Sequence, residues 1–418
     1  KSIDLGFLGI IIFNISSCTF TNNGEDKSNY NILSKAGTVI FENSSVIYTD
    51  QSKSYGALSL ESLNNAQIID SNFTNCIITK ALSSSIYCEA ELGTICTMTN
   101  CQLINCKSSV AAFQVTHGTS YINSVKVFFD DTSFSSGEIN LNGMAFQVSN
   151  AEFINTNNDE FGALKINQIL QNPGRVSITN CVFDNCHGAN TRCINLNCYS
   201  SDLHFVNNTM KNMKPTNNGK AYAYSINYAY DFICENSLFI DNSCDALYGG
   251  GIGLWVVSSS SIQFINCNFT NNIGLDPKTP RDKQKPAEGD YYPGDGGALQ
   301  YGYSNTINGV NMRFVGCHFN QNKAVRNGGA LALQTIKQDQ IINCTFDDNL
   351  ADYTVEQTSA DLLYDNYYFL KNNGRGGAIY INPTYTHKDF TSELYMTDVL
   401  IQGYTFNRNK AFDGYAIY

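Results

Sequence analysis

A short phrase recurs along the whole sequence, on average about once every 30 residues. It contains an apolar pair, a small polar residue or Cys, one variable residue, an aromatic or apolar anchor, and Asn two or three places later. The segments FINCNFTNN, ending at Asn272, and IINCTFDDN, ending at Asn349, are typical. A fixed period of this length is typical of a repeat architecture, in which each repeat is one structural unit. The anchors are Phe20, Tyr48, Phe73, Leu103, Phe134, Phe153, Phe183, Met210, Phe239, Phe269, Phe319, Phe346, Phe369 and Phe406.

A second phrase follows many anchors, and in it glycine precedes alternating apolar and polar or small residues. Examples are GGALQY from Gly296, GGALAL from Gly328, GGAIYI from Gly376 and GYAIY from Gly414. Alternation with a period of two after a glycine turn predicts a β-strand. Sustained apolar spacings of three and four with helix caps are nearly absent, so we expect few helices.

Short strands and Gly or Asn turns at this period indicate a solenoid, because one repeat cannot bury its own apolar face. Coils stacked about 4.8 Å apart bury equivalent residues on one another and pair every strand with the next coil. Asn near the anchor suits a bend between sheets, since it tolerates left-handed dihedrals. The sequence therefore predicts an all-β fold, a right-handed single-stranded parallel β-helix of about fourteen coils. We expect its core stack to contain Phe20, Phe73, Phe183, Phe239, Phe269, Phe319, Phe346 and Phe406.

The repeat spans the whole chain, so we expect residues 1–418 to form a single β-helix domain. Two stretches interrupt the period. Residues 273–295 contain four of the seven prolines and many charges, and residues 350–368 contain several tyrosines. Each stretch predicts a loop inserted between coils.

Three pairs of phrases combine GGA[LI] with F-x-x-N. They are Gly296–Leu299 with Phe269–Asn272, Gly328–Leu331 with Phe319–Asn322, and Gly376–Ile379 with Phe369–Asn372. This combination resembles the polymorphic outer membrane protein repeat, found in bacterial surface adhesins and large protist surface proteins of the broad pectin-lyase-like β-helix group. The likeness is close over residues 236–418 and looser over 1–235. It implies a parallel β-helix at a cell surface, and a fold alone does not define a function.

Composition limits the function classes. Charged residues make up 15% and hydrophobic residues 43% of the chain, which is typical of a packed protein. The formal net charge of −11 argues against nucleic-acid binding, which needs clustered Lys and Arg. No apolar run approaches the roughly 18 residues of a membrane-spanning helix, so we expect no membrane span in this segment.

Fifteen cysteines and six N-x-[ST] sequons together favour an extracellular or cell-surface location. A sequon marks a possible site of N-glycosylation on an exposed segment of a secreted protein. The six sequon asparagines are Asn14, Asn43, Asn72, Asn207, Asn268 and Asn343.

Cysteines recur at fixed places relative to the anchors. Stacked positions lie within Cα reach of a disulfide, although reduced buried cysteine is an equally good interpretation for an inward column. Because the total is odd, at least one thiol stays free or bonds another chain. Six cysteines lie two residues before an anchor and are expected to point inward: Cys18, Cys101, Cys181, Cys267, Cys317 and Cys344. The candidate disulfide pairs are Cys76 with Cys106, Cys88 with Cys96, Cys193 with Cys198, and Cys317 with Cys344.

Paired aspartates and a His-Gly dipeptide are the features that would suit a polysaccharide-cleaving relative. The chain has Asp130–Asp131, Asp347–Asp348 and His187 before Gly188. Two carboxylates about 6.5 to 9.5 Å apart act as acid and base in an inverting hydrolase. Asp347 and Asp348, however, occupy a position held by Thr and Asn in other repeats, which predicts solvated turn residues. We assign no catalytic residue.

We also assign no metal and no cofactor. The sequence has no C-x-x-C pair, and its five histidines lack the spacing of a zinc site. It contains no P-loop, nucleophile elbow or dinucleotide fingerprint. Calcium binding by turn Asp and Asn is the remaining alternative.

Two functions are compatible with this pattern. The first is a non-enzymatic extracellular structural or surface glycoprotein, a rod that stacks end to end into a filament or acts as an adhesin. Its partners would be its own copies, other extracellular proteins or glycans. The apolar start and the uncapped GYAIY end suggest that the chain continues or that subunits stack. The alternative is a polysaccharide-cleaving or glycan-binding β-helix protein with a groove lined by Asp, Tyr and Asn.

Overall fold

The computed structural model describes most of the chain, and every secondary-structure element in the described residues is a β-strand. The described residues are 3–5, 12–21, 30–34, 37–49, 56–78, 84–108, 110–129, 139–158, 161–168, 174–188, 192–198, 202–213, 222–227, 231–244, 252–254, 261–274, 296–301, 311–324, 327–333, 339–351, 374–381, 399–411 and 414–418. The chain divides into two compact units, 1–189 with 193–208, and 190–192 with 209–418.

The first unit is built from short and long strands that pair in parallel. They are β1 Ile3–Leu5, β2 Ile12–Ser16, β3 Thr19–Thr21, β4 Tyr30–Ser34, β5 Thr38–Glu42, β6 Ser45–Ile47, β7 Gly56–Ile69, β8 Asn72–Thr74, β9 Ile77–Ile78, β10 Ile86–Thr99, β11 Gln102–Ile104, β12 Lys107–Ser108, β13 Phe113–Asn123, β14 Lys126–Phe128, β15 Ile139–Ser149, β16 Glu152–Ile154, β17 Asn157–Asn158, β18 Phe161–Gln168, β19 Val176–Thr179, β20 Val182–Asp184, β21 His187–Gly188, β22 Arg192–Asn197 and β23 Leu203–Val206.

The second unit has the same kind of elements. They are β24 Thr209–Lys211, β25 Tyr222–Asn227, β26 Asp231–Glu235, β27 Leu238–Ile240, β28 Ser243–Cys244, β29 Ile252–Leu254, β30 Ser261–Ile265, β31 Asn268–Thr270, β32 Ile273–Gly274, β33 Leu299–Tyr301, β34 Asn311–Val315, β35 His318–Asn320, β36 Lys323–Ala324, β37 Leu331–Leu333, β38 Asp339–Ile342, β39 Thr345–Asp347, β40 Leu350–Ala351, β41 Ile379–Ile381, β42 Val399–Gln402 and β43 Thr405–Asn407.

Three-residue strands form one wall of each unit, here called the phenylalanine sheet. It contains β3, β6, β8, β11, β14, β16 and β20 in the first unit, and β24, β27, β31, β35, β39 and β43 in the second. All neighbours pair in parallel with equivalent residues in register, as Phe319 does with Phe269 and Phe346. Because side chains alternate across a strand, the central residue faces inward and its two neighbours face outward. The predicted fold class is confirmed as an all-β parallel solenoid.

A larger sheet forms the opposite wall, and its inward side chains complete the core. In the second unit its strands β26, β30, β34, β38 and β42 pair in parallel, which places Phe264 in register with Phe314. The Phe264 ring meets the edge of Phe269, with ring centroids 5.7 Å apart and planes at 68°. The core therefore lies between two walls of stacked aromatic and aliphatic side chains.

The glycine phrases enter a third wall in the second unit. Strands β29, β33, β37 and β41 form a four-stranded parallel sheet, with Leu331 in register with Leu299 and Ile379. Gly328 has a φ of 66°, which suits glycine. A Cβ on the next residue, Gly329, would collide with the carbonyl oxygen of Gly377 in the following coil. Both glycines are therefore required, and the predicted strands after them are confirmed.

Asparagine holds the bends on both sides of the phenylalanine sheet. We call the bend before each three-residue strand the first turn and the bend after it the second turn. Asn266 in the first turn and Asn271 in the second have φ values of 52° and 53°. Gly316 and Gly403 replace asparagine in the first turn of later coils, with φ of 63° for each. The prediction that Asn after the anchor adopts left-handed dihedrals is confirmed.

The predicted anchors need three corrections. In the coil of β6 the stacked residue is Val46, in register with Phe20 and Phe73, so Tyr48 is not the anchor. In the coil of β14 it is Val127, in register with Leu103 and Phe153. The predicted anchors Phe134 and Phe369 lie outside the described residues. Phe346 is in register with Phe406, so no coil of this sheet lies between them and Phe369 is not an anchor. Within the described part of the chain, the phenylalanine sheet has seven strands in the first unit and six in the second. This is fewer than the predicted count of about fourteen coils.

The predicted loop insertions fall largely outside the described residues. Residues 275–295 and 352–373 are not described, whereas Ile273–Gly274 and Leu350–Ala351 are the strands β32 and β40. Both strands belong to a four-stranded sheet with β28 and β36. Residues 273–274 and 350–351, predicted as the starts of the loops, are therefore strand residues.

A buried asparagine ladder lines the second turn in the second unit. Asn322 donates from Nδ2 to Asn349 Oδ1 at 3.0 Å and to the Phe269 carbonyl oxygen at 2.9 Å. Its Oδ1 accepts from Asn272, from the backbone N–H at 3.1 Å and from Nδ2 at 2.9 Å. Asn322 is fully buried. Every polar atom of this side chain therefore has a partner, which offsets the cost of its burial. The ladder is formed by Asn242, Asn272, Asn322, Asn349 and Asn409.

Replacing Asn322 with alanine should destabilise the second unit by about 2–5 kcal/mol, because it leaves two buried donors of Asn272 without an acceptor. Urea unfolding followed by circular dichroism measures the loss. Asn320→Ala is the matched control, since Asn320 lies two residues away on the outward side of β35. It should cost less than about 1 kcal/mol. Equal losses in the two variants would contradict a stabilising ladder.

Candidate functional site

All six sequon asparagines are exposed at the solenoid surface. Asn43, Asn207 and Asn343 lie in the first turn and have φ values of 47°, 56° and 53°. Asn72 and Asn268 are the first, outward-facing residues of β8 and β31. Asn14 is also exposed, within β2. Each of these side chains therefore points away from the core.

The predicted disulfide cysteines are free thiols wherever the structure describes them. Cys76 and Cys106 are buried in the second turn, and each thiol lies near backbone carbonyl oxygens instead of forming a bond to sulfur. Reduced and buried in this way, each cysteine serves as a small apolar side chain. The side chain of Cys193 lies outside the described residues. The other free thiols among the candidates are Cys88, Cys96, Cys198, Cys317 and Cys344.

The six cysteines before the anchors follow the predicted inward column. Cys101, Cys181, Cys267, Cys317 and Cys344 are buried, and Cys18 is half-buried. Each lies directly after the left-handed residue of the first turn. Burial raises the pKa of Cys101 to about 12 and that of Cys181 to about 11. These two side chains therefore stay protonated thiols at neutral pH.

The outer side of the phenylalanine sheet in the second unit forms an open polar groove of about 610 Å³. Its walls come from the outward residues of four successive strands, β31, β35, β39 and β43, and from the second turn after β43. Parallel, in-register pairing brings these residues to the same face. The groove is lined by Asn268, Thr270, His318, Asn320, Asp347, Asn407 and Arg408.

Two carboxylates at the groove are already paired. Arg408 binds Asp348 with two hydrogen bonds, Nε to Oδ1 and Nη2 to Oδ2, each 2.7 Å long. This arginine lowers the pKa of Asp348. Asn407 Nδ2 donates to Asp347 Oδ1 at 2.7 Å. Asp348 therefore remains ionised, and a carboxylate with a lowered pKa is a poor proton donor.

The structure places the two aspartates differently from the sequence-based expectation. Asp348 is a turn residue with a φ of 53°. Asp347 is instead the last residue of β39, in register with Asn320 and Asn407. The expectation of a turn position was wrong for Asp347, because the strand continues one residue beyond the anchor.

The remaining catalytic candidates lie partly outside the described residues. Asp130 and Asp131 are not described. His187 begins the two-residue strand β21 and pairs through its backbone with Asn157, while its side chain is not described. Among the described residues, no group of three His, Cys, Asp or Glu side chains is placed to hold a metal ion.

Asp339 is a buried acid that the sequence pattern did not single out. Its side chain points inward from β38 and is only 2% exposed. Oδ1 accepts a hydrogen bond from the Met312 N–H at 2.9 Å, and Oδ2 has no hydrogen-bond partner. Burial raises its pKa to about 7. A raised pKa is typical of a general acid, but this side chain lies in the core, where a polysaccharide cannot reach it.

The sequence offered one signal for Asp339. The equivalent residue in the neighbouring coil is the buried Met312 of β34, so an acid appears where the repeat has an apolar residue. An alignment of the repeats by their anchors, Phe319 and Phe346, would have revealed this exchange.

Comparison with known proteins gives no further assignment. No protein-family model matches this chain, and searches of curated proteins and of solved structures give no match either. In the part of the chain that the structure describes, no helix has the length and apolar character needed to cross a membrane.

Asp339 should make the protein less stable as the pH rises from about 4 to about 7. The native state binds a proton in this window that the unfolded state has released, so raising the pH favours unfolding. Asp339→Asn should remove up to about 4 kcal/mol of this pH dependence while keeping an acceptor for Met312. Urea unfolding at a series of pH values measures it. Asp347→Asn, on the outer face, is the control and should keep the wild-type slope.

Proposed function

We propose that this chain is a non-enzymatic extracellular surface glycoprotein with a structural role. The observation behind the proposal is the outward position of all six sequon asparagines. An N-linked glycan is bulky and polar, so it can be attached only where the side chain faces solvent. A sequon at a buried ladder asparagine, such as Asn272 or Asn322, would have contradicted the proposal.

The interior supports a structural role. Phe269, Phe319 and Phe346 stack with ring centroids 4.6 and 4.7 Å apart and planes within 4°. Every coil thus uses its inward residues to hold the next coil. The outward residues remain available for glycans and for contacts with other molecules.

We further propose that copies of the chain assemble into a filament or that the chain acts as an adhesin. Within each unit, coils join by parallel strand pairing with equivalent residues in register. The same pairing between molecules would extend the solenoid by strand addition. Other copies of this chain, extracellular proteins and glycans are the proposed partners.

A second candidate function is glycan binding at the polar groove of the second unit. Amide, imidazole, guanidinium and carboxylate groups converge there from successive strands. Such groups form hydrogen bonds with sugar hydroxyls. Cleavage of a glycan is the weaker alternative at this site, because the Asp348 carboxylate is held ionised by Arg408.

Asn268 separates the two candidates, because it is both a sequon asparagine and a residue of the groove. A glycan on Asn268 would cover the groove and prevent a second sugar chain from binding there. An unmodified Asn268 would leave the groove open.

Glycan mapping tests the proposal. The chain is expressed in a eukaryotic host behind a supplied secretory leader, and glycopeptides are mapped by enzymatic deglycosylation and mass spectrometry. We expect glycans on several sequons, including Asn268. Asn180, an exposed first-turn residue without a sequon, should stay unmodified. Electron microscopy of the same material should show filaments.

Two results would contradict the proposal. Unmodified asparagine at all six sequons would remove its main support. An unmodified Asn268 together with binding to an immobilised acidic glycan, lost in Arg408→Ala, would favour the second candidate. Thr21→Ala is the control for that loss, because Thr21 lies on the outer face of the first unit.

A further inference from the structure

Two thiols meet in the core of the second unit where, in the first unit, a thiol meets an apolar residue. Cys181 Sγ lies 3.7 Å from the carbonyl oxygen of Val148, and Cys101 Sγ lies 3.5 Å from that of Ile68. The equivalent thiol in the second unit, Cys267, lies 3.5 Å from the carbonyl oxygen of Cys234. Cysteine therefore replaces the apolar residue at this one position.

The Sγ atoms of Cys234 and Cys267 are 3.7 Å apart, and both residues are fully buried. Cys234 projects inward from β26 in the large sheet. Cys267 projects from the first turn of the next coil, directly after Asn266. The two thiols thus approach each other from different walls and do not point in parallel as Cys76 and Cys106 do. A small rotation of the side chains would bring the sulfur atoms to the bonding distance of about 2.05 Å.

Two further thiols continue this run. Cys317 and Cys344 occupy the position of Cys267 in the next two coils, since all three precede stacked phenylalanines by two residues. They lie in one column with Cys267, whereas Cys234 faces Cys267 from the large sheet. The geometry therefore favours a bond between Cys234 and Cys267, and Cys317 and Cys344 stay reduced.

We propose that Cys234 and Cys267 form a disulfide between neighbouring coils. The two thiols release two protons and transfer two electrons to a disulfide oxidant, which is reduced to two thiols. Because the thiols are buried in the folded chain, the bond forms while the chain folds in an oxidising compartment. The inference therefore rests on the extracellular location in the proposed function.

The oxidising compartment is supplied in the test, so a negative result concerns the thiols and not the natural location of the protein. The chain is expressed behind a secretory leader, denatured, alkylated with iodoacetamide without reduction, digested and examined by mass spectrometry. We expect cross-linked peptides that join Cys234 to Cys267, with Cys317 and Cys344 alkylated. Alkylation of both Cys234 and Cys267, or a Cys267–Cys317 cross-link as the main product, would overturn the proposal.

Variants test the pairing. Cys234→Ser should leave Cys267 alkylated. Cys181→Ser, at the equivalent turn of the first unit, is the control and should leave the Cys234–Cys267 cross-link unchanged. If a variant does not accumulate, the wild-type chain is made reduced and refolded with oxidised glutathione. The number of free thiols in the refolded chain should then fall by two, and no fall would contradict the proposal.

Discussion

In-register pairing of the strands in neighbouring coils is the constraint on which the rest of this structure depends. Parallel pairing sets each residue beside its equivalent one coil away, as Phe319 is set between Phe269 and Phe346. A shift of one residue in this register would turn every inward side chain outward. The flat stacking of the rings, with planes within 4°, is possible only in that register. Each side chain in the core therefore has its own copies as its main environment.

The same constraint gives asparagine three separate roles. In the exposed turns it adopts left-handed dihedrals, as Asn266 and Asn271 do. In the buried ladder of the second unit, Asn322 satisfies its amide through Asn272 and Asn349, its equivalents one coil away, and through the Phe269 carbonyl oxygen. On the outside, sequon asparagines such as Asn268 face solvent. Because inner and outer positions alternate along the short strands of the phenylalanine sheet, a glycan on Asn268 need not disturb the stack inside.

The fold class could be predicted from the sequence because its period and its glycine and phenylalanine phrases report strand and turn positions directly. Which residue of each coil enters the stacked core could not be predicted in every case. The sequence pattern points to Tyr48 because of its aromatic ring, but the residue in register with Phe20 and Phe73 is Val46. Position in the register decides which residue enters the core, and valine fills the space there as an aromatic residue does elsewhere.

Contacts between different walls were beyond the reach of the sequence pattern. A repeat aligned on its anchors shows which residues stack on one another, but not which residues of the large sheet face those of a turn. The approach of Cys234 to Cys267 is such a contact. The inward position of Asp339 and the strand position of Asp347 likewise follow from the ends of β38 and β39. For the groove, the sequence indicated Asp347 and Asp348 but not Arg408, which is 60 residues from Asp348.

Cross-linking on the outer face tests the register most directly. Asn320 is paired with Asp347 in the next coil. The Cα atoms of cysteines placed at these two positions should be about 4.8 Å apart, so the cysteines should form a disulfide under mild oxidation. Cysteines at Asn320 and Thr345 would be offset by two residues. Their Cα atoms would be about 8 Å apart, so they should not form a disulfide. The account predicts nearly complete cross-linking in the first double variant and little in the second. Cross-linking of the second and not of the first would contradict it.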